Sequence, residues 1–136
     1  MLADSPVFAV LPCVDFQRAK NFYEQVLGLK QVEMPGMEGD ESDGTIIYEC
    51  GGGTRLFVYQ RPEPTKAEHT VAGWVVADLD AVVDQLIAKG VKMEVYDMPG
   101  VEFDDRGVAT MGGLKGAWFK DPEGNILSLN EMPQSS

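Results

Sequence analysis

The sequence predicts an α+β fold built from two consecutive βαβββ modules, and three observations carry that prediction. A hairpin signal near the end of the chain, GAWFKDPEGNILSLNE from Gly116 to Glu131, has a degenerate copy around Cys50 to Thr54. A strand followed by an Asp-capped amphipathic helix that stops at glycine also occurs twice, at Asp15 to Gly28 and at Asp78 to Gly90. The length of 136 residues leaves room for one compact body or two small modules that share a core, so a single domain over 1–136 is expected.

In the first module, Val7 to Val14 (VFAVLPCV) is apolar at both parities, the pattern of a strand covered on both faces. Phe16, Ala19, Phe22, Tyr23, Val26 and Leu27 then recur at three-and-four spacing up to Gly28, and Leu29 to Met34 reads as a second strand. Pro35 to Gly44 (PGMEGDESDG) collects turn residues and four acids without apolar periodicity and is expected to be a mobile loop. Thr45 to Glu49 and Thr54 to Gln60 follow as strands around the glycine-rich turn. The module spans 7–61, and 62–69, rich in proline and charge, is the linker.

The second module, 70–132, repeats the order. Thr70 to Ala77 is a strand, Asp78 or Asp80 caps a helix with Leu79, Val82, Val83, Leu86 and Ile87 on its apolar face, and Val91 to Tyr96 is another strand. The pattern does not divide 97–113 further. In the closing hairpin Asp121-Pro122-Glu123-Gly124 supplies type I turn chemistry: Asp first, Pro with its preset φ second, Gly fourth. Laying YECGGGTRLFVYQRP over FKDPEGNILSLNEMP without a gap matches Gly53 to Gly124, Leu56 to Leu127 and Pro62 to Pro133, which a tandem duplication explains.

Composition limits the function classes. Lys and Arg number 11 against 22 Asp and Glu, and the formal charge of −11 repels polyanions, which argues against nucleic acid and anionic membrane partners. No apolar run approaches the ~18 to 20 residues that span a bilayer. Cys13 and Cys50 form no CxxC pair, and the N-terminal stretch lacks a secretory pattern, so a cytoplasmic location is expected.

The paired modules, the helix with Asp15-Phe16-Gln17-Arg18, Phe22-Tyr23 and Leu27-Gly28, and the closing Asp-Pro-Glu-Gly-Asn together resemble the vicinal oxygen chelate superfamily. This is the glyoxalase I, bleomycin resistance protein and extradiol dioxygenase group, and the resemblance runs from about Val7 to Glu131. It implies modules that form a curved, cleft-enclosing mixed sheet. One inward side chain from each of four strands binds a divalent metal in members that use one. Where such members carry His, this sequence has Phe8 and Ala72; where they carry Glu, it has Phe57 and Ser128. Phe and Ala have no lone pair to donate and Ser is a poor ligand beside carboxylate or imidazole, so no metal and no cofactor are expected. His69 is the one histidine, which excludes a two-imidazole site within one chain, and it reads as a solvated linker residue. Neither cysteine has a neighbouring histidine that would make a reactive thiolate.

Strand alternation from those four positions places Val10, Arg55, Tyr59, Trp74, Val76, Ile126 and Asn130 on the same face. The expected ligand-binding set is Phe8, Arg55, Phe57, Tyr59, Trp74, Ser128 and Asn130, with Trp118 weighed as core. The favoured function is a metal-independent protein that sequesters a small planar or aromatic molecule. The alternative is a glyoxalase-like metal-dependent isomerase or lyase with displaced ligands, for which Glu49, Glu102 and Asp104 are the available carboxylates; whether any reaction is catalysed stays open. A partner-binding paralogue with a filled cleft is a third reading, and Ser128, Asn130 and Arg55 argue against it. The resemblance also implies a homodimer, in which edge strands are covered.

Overall fold

A computed structural model describes residues 1–32 and 44–133. The expected loop at 35–44 therefore lies, apart from Gly44, outside the described residues, as does the end of the expected second strand. The chain is α+β. It divides into two compact units: Met1–Lys66 with Pro122–Gly124, and Ala67–Asp121 with Asn125–Ser136.

The first unit holds β1 (Ala9–Cys13), α1 (Phe16–Asn21), β2 (Lys30–Gln31), β3 (Thr45–Glu49) and β4 (Arg55–Gln60), in a sheet ordered β1-β4-β3-β2. Asp15 caps α1 as expected, its carboxylate accepting from the Arg18 amide at 3.0 Å. The helix is not uniform, however: Phe22–Val26 is a π-turn in which the Leu27 amide donates to the Phe22 carbonyl at 3.0 Å. The consecutive Phe22 and Tyr23, at the start of this wider turn, are both buried. Tyr23 stacks on Tyr48 at 5.9 Å, so the β3 and β4 side chains on that face (Ile46, Tyr48, Leu56, Val58) form the core under the helix. Each such large apolar side chain contributes about 1.5–3 kcal/mol on burial.

The expectation that the first strand is covered on both faces is corrected. Leu11 and Cys13 are buried, but Val10 is 49% and Phe8 51% exposed within the chain. The helix covers only one face of this sheet, so the other parity carries apolar residues of a different surface.

The second unit holds β5 (Thr70–Val75), α2 (Leu79–Ala88), β6 (Met93–Glu94), β7 (Glu102–Phe103), β8 (Ala109–Met111), β9 (Leu114–Lys120) and β10 (Ile126–Glu131). Its path is β5-β10-β9-β8-β7, with β6 also pairing β9. Asp78 is the cap of α2, accepting from the Ala81 amide at 3.1 Å. Asp80 instead binds Arg106 and, at 2.7 Å, Lys115. The undivided stretch 97–113 is thus a short hairpin, β7–β8. Its loop is tied to α2 through Arg106, which also reaches Asp84 at 2.8 Å and Asp104 at 3.3 Å.

The two hairpin turns close alike. The Cys50 amide donates to Thr54 O at 2.8 Å, and the Asp121 amide to Asn125 O at 3.0 Å. Glu123 does more than occupy the second turn. Its carboxylate accepts from the amides of Val14 (2.8 Å) and Asp15 (3.1 Å) and from the Arg18 guanidinium (2.9 Å), with a side chain only 1% exposed. Burial pulls its pKa upward, but the Val14 amide, Arg18 and the Asp15 amide outweigh that and hold it below the ordinary 4.5.

Glu123→Ala is therefore expected to cost about 2–3 kcal/mol at neutral pH, by leaving two amides and a guanidinium without their shared acceptor. Because the folded pKa is depressed, this contribution is complete above about pH 4.5 and is lost as pH falls through the lower folded value. Urea unfolding of wild type and variant across that range checks both the size and the convergence at acid pH.

Candidate functional site

The face of each sheet that carries no helix is fixed by register. In the first unit the parallel β1–β4 pair sets Val10 opposite Phe57, and the antiparallel β3–β4 pair sets Ile47 opposite Phe57, Glu49 opposite Arg55 and Thr45 opposite Tyr59. Arg55, Phe57 and Tyr59 thus share the helix-free face, as alternation predicts. Phe8 joins them: its ring stacks on Phe57 with centroids 4.4 Å apart and planes 27° from parallel. The Arg61 guanidinium sits 6.0 Å over the Tyr59 ring.

In the second unit the parallel β5–β10 pair sets Gly73 opposite Ser128 and Val75 opposite Asn130. Ser128 and Asn130 are neighbours on this face, the Asn130 amide donating to the Ser128 hydroxyl at 3.0 Å. Trp74 is not with them. It pairs with Leu129, as Ala72 pairs with Leu127, so both share the face of those buried leucines, and the parity of Val76 follows Trp74. The expected placement of Trp74 beside Ser128 and Asn130 is corrected. A bulge between Ile126 and Leu127 shifts β5 by one residue, and a shift of one exchanges the faces.

The tryptophan that does share the face of Ser128 is Trp118, directly opposite it across β9–β10. Tyr96 meets the Trp118 ring edge-on at 5.9 Å and 81°, and Phe103 lies 5.9 Å from it at 47°. Glu94 is opposite Trp118 on the other side and pairs with Lys120 at 3.6 Å. Two signals in the sequence point here. Both helix caps, Asp15 and Asp78, are related by the same offset that carries Val10 to Gly73, and closure of the hairpin at Asp121 and Asn125 makes Trp118 the partner of Ser128.

A divalent metal does not fit these residues. Phe8 and Phe57 stack as hydrocarbon surfaces, and Ser128 faces a glycine. Asp104 is committed to the Arg106 and Val108 amides and the Arg106 side chain, while Glu49 and Glu102 are exposed. Among the described residues no three His, Cys, Asp or Glu side chains converge on a point that holds a metal ion. His69 is exposed, Cys13 buried and Cys50 half-buried.

Gly73 is required by its neighbours. A Cβ there would lie 2.3 Å from Ser128 Oγ and 3.1 Å from Asn130 Nδ2. Gly73→Ala is expected to displace the serine hydroxyl from its hydrogen bond and cost about 1–2 kcal/mol. Adding Ser128→Ala to the same chain is expected to recover most of that loss, a coupling that a double-mutant cycle of thermal unfolding measures.

Comparison with known proteins agrees with this architecture. A model of the Glyoxalase/Bleomycin resistance protein/Dioxygenase superfamily matches residues 6–129. No curated protein matches the sequence. Similar solved structures include a glyoxalase/dioxygenase from Nostoc punctiforme (TM-score 0.71, 17% identity, 98% of this chain and 93% of that one). TnmS3, an antibiotic binding protein from Streptomyces sp. CB03234, aligns at TM-score 0.66 and 22% identity over 98% of this chain and 99% of its own. A lactoylglutathione lyase from Agrobacterium tumefaciens aligns at TM-score 0.62 and 19% identity over 93% of each chain. Identities at this level speak for the fold, and the family match covers nearly the whole sequence: the chain belongs to the glyoxalase/bleomycin resistance protein/dioxygenase superfamily.

Proposed function

We propose that this protein binds and sequesters a small planar or aromatic organic molecule on the helix-free faces of its sheets, without a metal ion. The observation that carries the reading is aromatic and polar chemistry, poor in metal donors, at the described positions of those faces. The Phe8–Phe57 stack and Trp118 offer ring surface, and Ser128, Asn130 and Arg55 offer orienting groups. The antibiotic binding protein among its structural neighbours supports a binding role on this fold.

Phe8, Arg55, Phe57, Tyr59, Ser128 and Asn130 are the residues proposed to touch the ligand. Trp118 takes the place on the face expected of Trp74. Assembly as a homodimer and a cytoplasmic location belong to the same proposal and rest on the resemblance and composition. The lyase-like neighbour motivates the competing reading, a metal-dependent isomerase or lyase, which needs donors that do not converge among the described residues.

Titration of chelator-treated protein with a panel of planar aromatic compounds (acridine, methylene blue and 9-fluorenone) is expected to give saturable quenching of tryptophan fluorescence for at least one of them. Adding Zn²⁺, Ni²⁺ or Mn²⁺ is expected to leave the curves unchanged. No saturable response, or a response that requires one of these metals, would contradict the reading.

A further inference from the structure

The chain has four arginines, and the fold commits three of them. Arg18 is held by Glu123 at 2.9 Å, Arg106 by Asp80, Asp84 and Asp104, and the Arg61 guanidinium lies 6.0 Å over the Tyr59 ring. Arg55 is different. It is half-buried on the helix-free face of the first unit, yet among the described residues it makes no hydrogen bond, ion pair or ring contact. Glu49 stands opposite it in the β3–β4 register, but that carboxylate is exposed and forms no ion pair with it. Taking a guanidinium partly out of water without a partner costs free energy, and a chain with 22 Asp and Glu is not short of carboxylates to pair it.

The surroundings of Arg55 narrow the partner it fits. Phe57 lies two residues along β4 on the same side, about 7 Å away. It carries the Phe8 ring stacked on it at 4.4 Å. Phe57 is half-buried and Phe8 is exposed, so a ligand in solution reaches both rings and the guanidinium. A flat hydrocarbon laid against this pair brings a group at its edge to the planar fork of Arg55. Lys30 lies opposite Glu49 across β2–β3, so this face sets Lys30, Arg55 and Arg61 against Glu49. The local balance is positive in a chain whose formal charge is −11. That overall charge disfavours a dianion such as a phosphate monoester, while a single guanidinium matches a single carboxylate in a bidentate pair.

We propose that Arg55 is a specificity-determining residue and that the ligand is a planar aromatic monocarboxylate, its ring against the Phe8–Phe57 pair and its carboxylate on the Arg55 guanidinium. This rests on the binding function proposed above and goes further by naming the ligand's charged group and the residue that selects it.

The test uses 2-naphthoate and 2-naphthamide, bicyclic aromatics of nearly the same shape that differ in charge, titrated into the full chain at neutral pH and low salt by isothermal calorimetry. Wild type is expected to bind naphthoate about 10-fold more tightly than naphthamide, the scale of a charge-assisted hydrogen bond. Arg55→Gln is expected to bind the two alike, and Arg55→Lys, which keeps the charge without the planar fork, to retain part of the preference. Lys30→Gln removes an exposed charge from the same face and is expected to retain the whole preference, which separates contact at Arg55 from a general field. A preference that survives Arg55→Gln, or that is lost equally in Lys30→Gln, overturns the proposal. If both compounds bind wild type alike, the binding function stands and this inference fails; if neither compound nor any of the planar panel binds, the binding function itself fails. Should neither compound bind while Arg55→Gln shifts sedimentation between monomer and dimer, a second copy occupies this face and the inference also fails.

Discussion

The parallel pairing of each module's first strand with its last strand is the constraint on which the site depends. Val10 against Phe57 and Gly73 against Ser128 are equivalent registers in the two units. Because strand side chains alternate, these pairings decide which residues lie under a helix and which face away from it. The helix-side residues, among them Leu11, Leu56 and Val58 in one unit and Leu127, Phe119 and Ala117 in the other, are almost wholly buried. What remains on the opposite faces is the surface on which the proposed binding site lies.

On those faces the two units differ in chemistry while agreeing in geometry. The first is built from stacked phenylalanines with Arg55 and Tyr59 beside them; the second joins an aromatic corner around Trp118 to a small polar patch at Ser128 and Asn130. Among the described residues neither assembles a set of anionic or imidazole donors: Asp104 is committed to Arg106 and Val108, while Glu49 and Glu102 are exposed. Asp80 and Asp104 sit with Arg106, which ties the β7–β8 loop to α2. Asp80 is held below its ordinary pKa by Lys115 and then Arg106; for Asp104 burial pulls upward, and the Val108 and Arg106 amides overcome it.

Much of this was legible in the sequence because the local signals are strong. Asp15 and Asp78 cap helices, glycines end them, and the Asp121 to Asn125 turn fixes its hairpin, each through side-chain or backbone chemistry that acts within five residues. What failed to show were features set by tertiary context. The π-turn over Phe22–Val26 answers to packing against Tyr48, not to propensity. The bulge in β5 moved Trp74 to the other face, since one added residue inverts parity and leaves no mark in composition. Glu123 read as a turn residue, because its partners Val14 and Arg18 lie more than 100 positions away in the chain. Tyr96 and Phe103 fell in or beside a stretch whose hairpin pattern is too short to register as periodicity.

The central claim is that ligand binding on the helix-free faces has replaced metal chemistry. It is tested most directly by amide and indole chemical-shift mapping of chelator-treated, isotopically labelled protein titrated with 9-fluorenone. The expected result is saturable shifts concentrated at the Trp118 indole N–H and at the amides of Gly73, Ser128 and Asn130, with no divalent metal present. Shifts that appear only after Zn²⁺, Ni²⁺ or Mn²⁺ is added, or that avoid these residues altogether, would contradict it.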